Sequence, residues 1–228
     1  LQTLSIDERG TVHMGAAVCQ EKLYANAALR EGWRAIDDAL ESVGHTRIRQ
    51  MITVGGSVAP LIAGFDLPIA LLALDARVTL AGPGGRRTIP LREAFEKRFE
   101  KAEIVVRVEV DAQPPHTGSS FHKYMPRAVL EIPTVNTAAR VAIDGNGRCT
   151  DARVVVGSVG FKPIVLDLET VRGKALDSDT AREATAPIGK LVQPMADVRG
   201  SVAYKREMAM EFAARALMTA WQRARSMH

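Results

Sequence analysis

The sequence predicts an α+β fold built on antiparallel strands, and three observations support that fold class. Short β-branched runs are separated by glycine-rich turns, as in RVTLAGPGGRRTIPL at residues 77–91. The segment LPIALLALDA, residues 67–76, is apolar at nearly every position and predicts a buried helix. Residues 201–225 repeat apolar side chains at helical spacing. Because the strands come as pairs joined by tight turns, we expect their sheets to be antiparallel.

The first third of the chain predicts a hairpin followed by one long helix. Leu4–Ile6 and Thr11–Met14 are β-type runs joined by the turn residues DERG. Residues 15–44 carry apolar side chains at helical spacing until Gly44 ends the pattern. Further on, Glu103–Val110 alternates clearly and predicts a strand. The predicted buried face of that strand consists of Ile104, Val106 and Val108.

The second half predicts three strands and several helices. Residues 121–160 contain three strand patterns, with DGNG at 144–147 as a hairpin turn. Residues 166–172 and 178–191 predict polar helical segments, and the last helix is expected to bury Met208, Phe212, Ala216 and Trp221. Proline, histidine, glycine and serine cluster near residues 111–120 and indicate a domain boundary. We therefore expect domains at 1–112 and 117–228.

Composition narrows the function classes. The net charge of +4 comes from interspersed basic and acidic residues, which argues against nucleic acid as a partner. No apolar run reaches the roughly 18 residues of a transmembrane helix. Cys19 and Cys149 are far apart and predict buried thiols in a reducing, cytoplasmic compartment. The histidines show no metal-ligand spacing, and no nucleophile with a neighbouring base is readable, so we assign neither metal ligands nor catalytic residues.

One short segment is unusually bare of side chains. In TVGGS, Thr53 to Ser57, two glycines follow a β-branched run. Glycines leave backbone N–H groups unobstructed, so successive amides can converge on an anion, and the two hydroxyls could add donors. A simple connecting turn fits the same residues at least as well. The segment alone does not distinguish between the two interpretations.

Longer motifs give this segment a context. They are VHMGAAV (12–18), RIRQMITVGGSVA (47–59) with Asp66, DARVTL (75–80), FHKYMPRAVLEIPTVNTAARVAI (121–143) and ADVRGSVAYKREMAMEFAARAL (196–217). Through them the chain resembles the FAD-binding medium subunit of molybdenum hydroxylases, the xanthine dehydrogenase and carbon monoxide dehydrogenase family, nearly collinearly from about residue 4 onwards. The resemblance implies the second half of a PCMH-like FAD-binding fold, followed by a C-terminal α+β domain of the CO dehydrogenase flavoprotein type.

The resemblance also implies cofactor-binding residues. The family's T-hydrophobic-G-G-N loop holds the FAD pyrophosphate, and it corresponds here to Thr53, Val54, Gly55, Gly56 and Ser57. Ser57 stands where the family usually has Asn, and Ile52 where it usually has Gly. Asp66 corresponds to an acid near the ribityl and phosphate region, although a helix N-cap is an alternative role. Lys123 and Arg127 correspond to basic residues beside the flavin, with solvated strand positions as the alternative.

Ile132 corresponds to the residue packed against the flavin ring, and we expect a core position with incidental cofactor contact. The implied function is electron transfer from [2Fe–2S] clusters through FAD to an external acceptor. The implied partners are a large molybdopterin-binding subunit and a small subunit with two such clusters, assembled as a dimer of heterotrimers.

The family also carries an N-terminal subdomain with a second phosphate loop, A-G-G-[T/H/Q]-x-L, which residues 1–228 do not match. Two explanations are open: this region lies upstream of Leu1, or the chain is a shortened, flavin-free structural subunit of the same complex. A flavin oxidase acting alone is a third possibility, but no residue suggests its base.

Overall fold

A computed structural model describes residues 1–126 and 132–226. Its strands are β1 (Leu4–Ile6), β2 (Val12–Gly15), β3 (Arg77–Gly82), β4 (Gly85–Pro90), β5 (Ile104–Val110), β6 (Thr117–Tyr124), β7 (Val135–Ile143), β8 (Cys149–Gly157) and β9 (Ile164–Asp167). Its helices are α1 (Gln20–Tyr24), α2 (Ala27–Gly32), α3 (Arg34–Glu41), α4 (Thr46–Met51), α5 (Val54–Val58), α6 (Asp66–Ala73), α7 (Leu91–Lys97), α8 (Ser178–Thr185), α9 (Ile188–Leu191) and α10 (Val202–Ser226).

The strands form two antiparallel sheets, which confirms the predicted α+β class. The first sheet has the order β1-β2-β5-β3-β4, and the second is a meander with the order β6-β7-β8-β9. The predicted hairpins are present, since β1 pairs with β2, β3 with β4, and β7 with β8 across the DGNG turn. The second sheet has β6 at one edge, and Lys123 near the end of this strand lies at the candidate site.

The four-stranded sheet is buried on both faces because its side chains alternate between two apolar cores. Ala138 and Val155 belong to a core shared with α3, α6 and the five-stranded sheet. Val154 and Val156 belong to a second core, which they share with α8 and α10. Helices α3 and α6 therefore lie between the two sheets, and α10 covers the outer face of the second sheet. All eight residues of α6 are buried, as the apolar segment from Leu67 onward predicted for all but Asp66.

The predicted buried face of β5 is wrong. Ile104 is exposed and Val106 is half-buried, whereas Val105, Val108 and Val110 are buried. The cause is a register shift against β3, in which Leu80 opposes Val105 but the preceding Thr79 opposes Arg107. Val106 is the extra residue of a β-bulge, which reverses the alternation of the side chains that precede it.

The single helix predicted over residues 15–44 is also wrong, because the chain forms α1, α2 and α3 there. Asn26 interrupts the pattern by capping α2, with its side-chain oxygen accepting from Leu29 N–H at 3.1 Å. Residues 166–172 form the end of β9 and a short 3₁₀ turn instead of a helix. Helices α4 and α7 were not predicted, whereas the helical segment from Ser178 to Leu191 is confirmed as α8 and α9.

Helix α10 has the predicted position but a different contact face. Of its expected buried residues only Ala216 is buried, while Met208, Phe212 and Trp221 lie partly exposed at the margin of the core. The buried stripe is instead a row of small residues: Ala209, Ala213, Ala216, Ala220 and Ala224. These residues let α10 approach the sheet closely, and a Cβ atom on Gly118 of β6 would lie 2.1 Å from the Ala220 carbonyl oxygen.

Among residues 1–126 and 132–226, no helix is both long enough and apolar enough to cross a lipid bilayer.

Candidate functional site

A cleft of about 490 Å³ opens beside the glycine pair, at the junction of α5, the first turn of α6 and the end of β6. Its lining combines five of the residues predicted for cofactor binding with apolar side chains. The five are Gly56, Ser57, Asp66, Lys123 and Ile132, and the remaining lining residues are Gln20, Val43, Gly44, Ile48, Ile52, Ile62, Gly64, Phe65, Leu67 and Pro133. The volume lies within the roughly 300–1,000 Å³ that ligand pockets occupy.

The backbone amides of the glycine segment do not form an open anion nest, so that part of the sequence interpretation is wrong. Val54 N–H donates to the Val18 carbonyl at 2.9 Å, and Gly55 N–H donates to the Ala16 carbonyl at 2.8 Å. Gly56 N–H donates to Thr53 Oγ1 at 3.0 Å, because Thr53 caps the short helix α5. Ser57 N–H continues that helix by donating to the Thr53 carbonyl. The amides of residues 54–57 are thus used by the fold itself.

The two glycines have different roles. A Cβ atom on Gly55 would lie 2.8 Å from Ala16 Cβ and 2.9 Å from the Ala16 carbonyl oxygen, so Gly55 is required for close packing. Gly56 is exposed at the cleft, and apart from its neighbours and the backbone of α5 its Cβ position meets Thr53 Oγ1 alone among the described atoms within 4 Å. Gly56 therefore leaves the floor of the cleft bare, whereas Gly55, Val54 and Thr53 support it from behind.

Asp66 and Lys123 form a buried ion pair at the cleft. Lys123 Nζ lies 2.7 Å from Asp66 Oδ2 and donates to the Ser42 carbonyl at 3.2 Å. Asn136 Nδ2 donates to Asp66 Oδ1 at 3.1 Å, so both carboxylate oxygens have partners. The two side chains of the pair are less than one-tenth exposed. Lys123 thus occupies a buried site and not the solvated strand position given as its alternative.

The alternative role of Asp66 as a helix N-cap is wrong. The N-cap residue of α6 is Phe65, and Asp66 is the first residue inside the helix. Its side chain makes no capping hydrogen bond and instead reaches Lys123 and Asn136. Burial raises the pKa of Asp66. The charge of Lys123 and the hydrogen bonds that Asp66 accepts act in the opposite direction. The positive charge of Lys123 therefore favours the ionised form of the Asp66 carboxylate in this buried position.

Apolar side chains form the walls of the cleft. Ile48, Ile52 and Ile62 line it, and Phe65 lies at its edge with 39% of its surface exposed. Ile132 is 66% exposed, so the expected core position for this residue is wrong. Its aliphatic surface is open to a ligand instead of filled by the protein. Arg127, the other predicted flavin contact, lies outside the described residues.

Sequence reasoning did not single out Gln20 as a site residue. Its side chain is buried at the start of α1, and its Nε2 donates to Ser57 Oγ at 2.7 Å. Its Oε1 is buried and has no hydrogen-bond partner among the described residues. No signal in the sequence marks this residue, because its burial beside Ser57 depends on contacts 37 positions apart.

The two cysteines are not among the residues that line the cleft. Cys149 is buried, which raises the pKa of its thiol to about 11, and Cys19 is half-buried in contrast to its predicted burial. Neither thiol is in a disulfide. Within the parts of the chain that the structure describes, no three histidine, cysteine, aspartate or glutamate side chains are grouped to hold a metal ion.

Two family profiles match the chain. Residues 1–112 match the FAD binding domain in molybdopterin dehydrogenase, and residues 120–220 match the CO dehydrogenase flavoprotein C-terminal domain. The chain is 30% identical over 222 residues to the 6-hydroxypseudooxynicotine dehydrogenase complex subunit alpha of Paenarthrobacter nicotinovorans, covering 94% of this chain and 74% of that protein. It is 32% identical to the nicotinate dehydrogenase FAD-subunit of Eubacterium barkeri, covering 88% of this chain and 71% of that protein.

Solved structures of carbon monoxide dehydrogenases resemble the chain as well. Carbon monoxide dehydrogenase from Hydrogenophaga pseudoflava superposes with a TM-score of 0.89 at 26% identity, covering 97% of this chain and 78% of that one. Reconstituted CO dehydrogenase from Oligotropha carboxidovorans superposes with a TM-score of 0.88, also at 26% identity, covering 98% of this chain and 79% of that one. The likeness extends through both sheets and α10.

Proposed function

Because the chain belongs to the family of FAD-binding subunits of molybdopterin-dependent dehydrogenases, which includes the carbon monoxide dehydrogenase medium chain, we propose that it is an electron-transfer subunit. In this role it holds FAD and passes electrons from [2Fe–2S] clusters of a partner subunit to an external acceptor. FAD supplies the redox chemistry when bound, and the protein supplies binding, orientation and local charge. Hydroxylation of the substrate takes place in another subunit of the complex.

The cleft beside Gly56 carries this proposal, because its residues suit the parts of FAD. The bare floor at Gly56 allows close approach, and the apolar walls around Ile48 and Ile52 suit the flat faces of an aromatic ring system. The polar side chains that line the cleft are few, namely Gln20, Ser57, Asp66 and Lys123. We propose Thr53, Val54, Gly55, Gly56, Ser57, Asp66, Lys123, Arg127 and Ile132 as the cofactor-binding set, with the first three acting by shaping the floor.

Lys123 and Asp66 set the charge at the polar side of the cleft. An ammonium group has three donors, and among the described residues Lys123 Nζ uses two, toward Asp66 and the Ser42 carbonyl. The third donor and the positive charge of Lys123 suit an electron-rich edge of the flavin. In that position Lys123 stabilises the negative charge that reduction adds to the flavin. Asp66 holds Lys123 in place and retains lone pairs that can accept from hydroxyl groups.

The flavin-free structural subunit is the second candidate, and one observation favours it. The amides of residues 54–57 already donate to the protein's own oxygens, so they offer fewer hydrogen bonds to a diphosphate than an open nest would. FAD released by acid from the purified complex, measured against molybdenum, separates the two candidates. A ratio near one supports the electron-transfer subunit, and a ratio near zero contradicts it.

The proposed partners are a large molybdopterin-binding subunit and a small iron–sulfur subunit, in a dimer of heterotrimers located in the cytoplasm. Within this assembly we propose that residues 1–112 and 117–228 are the two domains of the chain. Light scattering of the purified complex measures its mass, and a mass matching one copy of each subunit instead of two contradicts the dimer.

A further inference from the structure

The unpaired oxygen of Gln20 is the strongest unexplained feature of the cleft. The residue is 2% exposed, and its Oε1 has no hydrogen-bond partner within the described part of the chain. Buried polar atoms in native proteins almost always have partners, so an orphan that lines a cleft indicates a group that binds there. We propose that Gln20 contacts the cofactor and that its side-chain carbonyl accepts a hydrogen bond from a ribityl hydroxyl group. This inference rests on the proposed FAD-binding function.

The surrounding hydrogen bonds fix the orientation of the Gln20 amide. Ser57 Oγ donates its one hydrogen to the Thr53 carbonyl at 3.0 Å, which leaves that oxygen as an acceptor. The structure places the NH₂ of Gln20 2.7 Å from Ser57 Oγ, and this orientation agrees with Ser57 Oγ donating to the Thr53 carbonyl. The carbonyl oxygen is then the unpaired acceptor of a side chain that lines the cleft.

The polarity of this oxygen selects which part of FAD it meets. A carbonyl accepts hydrogen bonds, whereas a diphosphate at neutral pH presents acceptor oxygens alone, so the two repel each other. The ribityl chain carries hydroxyl groups that can donate. Asp66, which lines the same cleft, is also an acceptor. The two acceptors disfavour the diphosphate at this place in the cleft, and they suit the ribityl chain because it carries several hydroxyl groups in a row.

The test compares two flavins in the complex after its flavin has been removed. One is FAD, and the other is an FAD analogue whose ribityl chain is replaced by an alkyl chain of the same length without hydroxyls. We expect Gln20→Leu to weaken FAD binding about 10- to 100-fold, in line with a lost hydrogen bond at a buried site. The same variant should bind the analogue as well as the wild type does. Equal losses for both flavins, or no loss for FAD, would overturn the proposal.

Stability of the flavin-depleted protein provides a second readout. Gln20→Leu removes an unpaired buried oxygen but also the hydrogen bond from Nε2 to Ser57 Oγ, so the two effects oppose each other and the thermal midpoint should change little. A lower midpoint together with equal losses for both flavins would assign Gln20 a purely structural role. Gln113→Leu is the matched control, because Gln113 Oε1 is also buried without a partner but does not line the cleft. That variant should leave FAD affinity unchanged.

Two further comparisons keep the result decisive. A wild-type complex that binds no FAD refutes the proposed function, whereas a wild type that binds FAD as tightly as Gln20→Leu refutes the role of Gln20 alone. If Gln20→Leu does not fold, Gln20→Met serves instead, because it keeps the length of the side chain and removes both polar atoms of the amide. Selective loss for FAD supports the proposal there as well, and an equal loss for both flavins overturns it.

Discussion

Two ion pairs contact the edge strand β6, and they differ in what surrounds them. Lys123 of β6 pairs with Asp66, and two residues earlier the backbone N–H of Phe121 donates at 3.0 Å to Asp38, whose carboxylate pairs with Arg223. Arg223 also donates to the Ser119 carbonyl at 2.7 Å. The pair at Asp38 therefore joins α3, β6 and α10, and the pair at Asp66 joins α6 and β6 beside an open cleft.

The comparison separates a structural ion pair from a candidate binding site. The Asp38–Arg223 pair is part-exposed, with 15% and 27% of the two side chains accessible, so water supports its charges. The Asp66–Lys123 pair is 6% and 9% exposed, and burial raises the pKa of Asp66. A buried pair costs desolvation free energy that its mutual attraction only partly offsets. Its position at a cleft is explained if the charges also serve a ligand.

The largest expected change in unfolding free energy comes from breaking the buried pair. Lys123→Met leaves Asp66 as an unpaired buried carboxylate, and we expect a loss of about 3–5 kcal/mol in chemical denaturation. Lys123→Met combined with Asp66→Leu should recover most of that loss because no charge remains buried, yet it should not restore flavin binding. A single variant as stable as the wild type would show that the pair is not a buried unit.

Breaking the other pair should have a smaller effect. In Arg223→Met, Asp38 still accepts from Phe121 N–H and is partly solvated, so we expect a loss of about 1.5–3 kcal/mol. Flavin content should not change, because Arg223 does not line the cleft. Loss of FAD in a folded Arg223→Met complex would contradict the separation of the two pairs.

The glycine pair gives the next contrast in stability. Gly55→Ala places a methyl group against Ala16 at 2.8 Å, and overpacking of this kind costs about 1–3 kcal/mol. Gly56→Ala meets Thr53 Oγ1 alone at 3.1 Å, so its unfolding free energy should stay within about 1 kcal/mol of the wild type. Thermal denaturation of both variants measures the difference. Equal destabilisation would mean that Gly56 is also closely packed.

The smallest expected effect is a pH dependence near Arg223. Burial lowers the pKa of His122, with Arg223 and Arg215 acting in the same direction and Asp38 against it, and its ring contacts Thr219. The folded state therefore binds this proton less readily than the unfolded state. The stability contributed is present above the unfolded pKa of about 6.5 and is lost as the pH falls below it. His122→Gln should show a shallower decline in unfolding free energy between pH 7 and 5.

Sequence patterns predicted the elements that depend on local residues. The all-apolar α6 and the DGNG hairpin were predicted because their signals are complete within a few positions. The buried face of β5 was not, since the bulge at Val106 depends on its pairing with β3. In the site, the resemblance singled out Gly56, Asp66 and Lys123 as cofactor-binding residues, and the structure places all three at one cleft. Gln20 and the internal hydrogen bonds of the glycine amides required the tertiary structure.

The most direct measurement of the central claim is a fluorescence titration of the flavin-depleted complex with FAD, with Gly56→Val as the comparison. The wild type should quench flavin fluorescence with a saturating stoichiometry of one FAD per chain. Gly56→Val fills the bare floor of the cleft and should abolish this binding while subunit assembly and the thermal midpoint of the depleted complex stay nearly unchanged. Equal FAD affinity in the two complexes would contradict the assignment of the cleft.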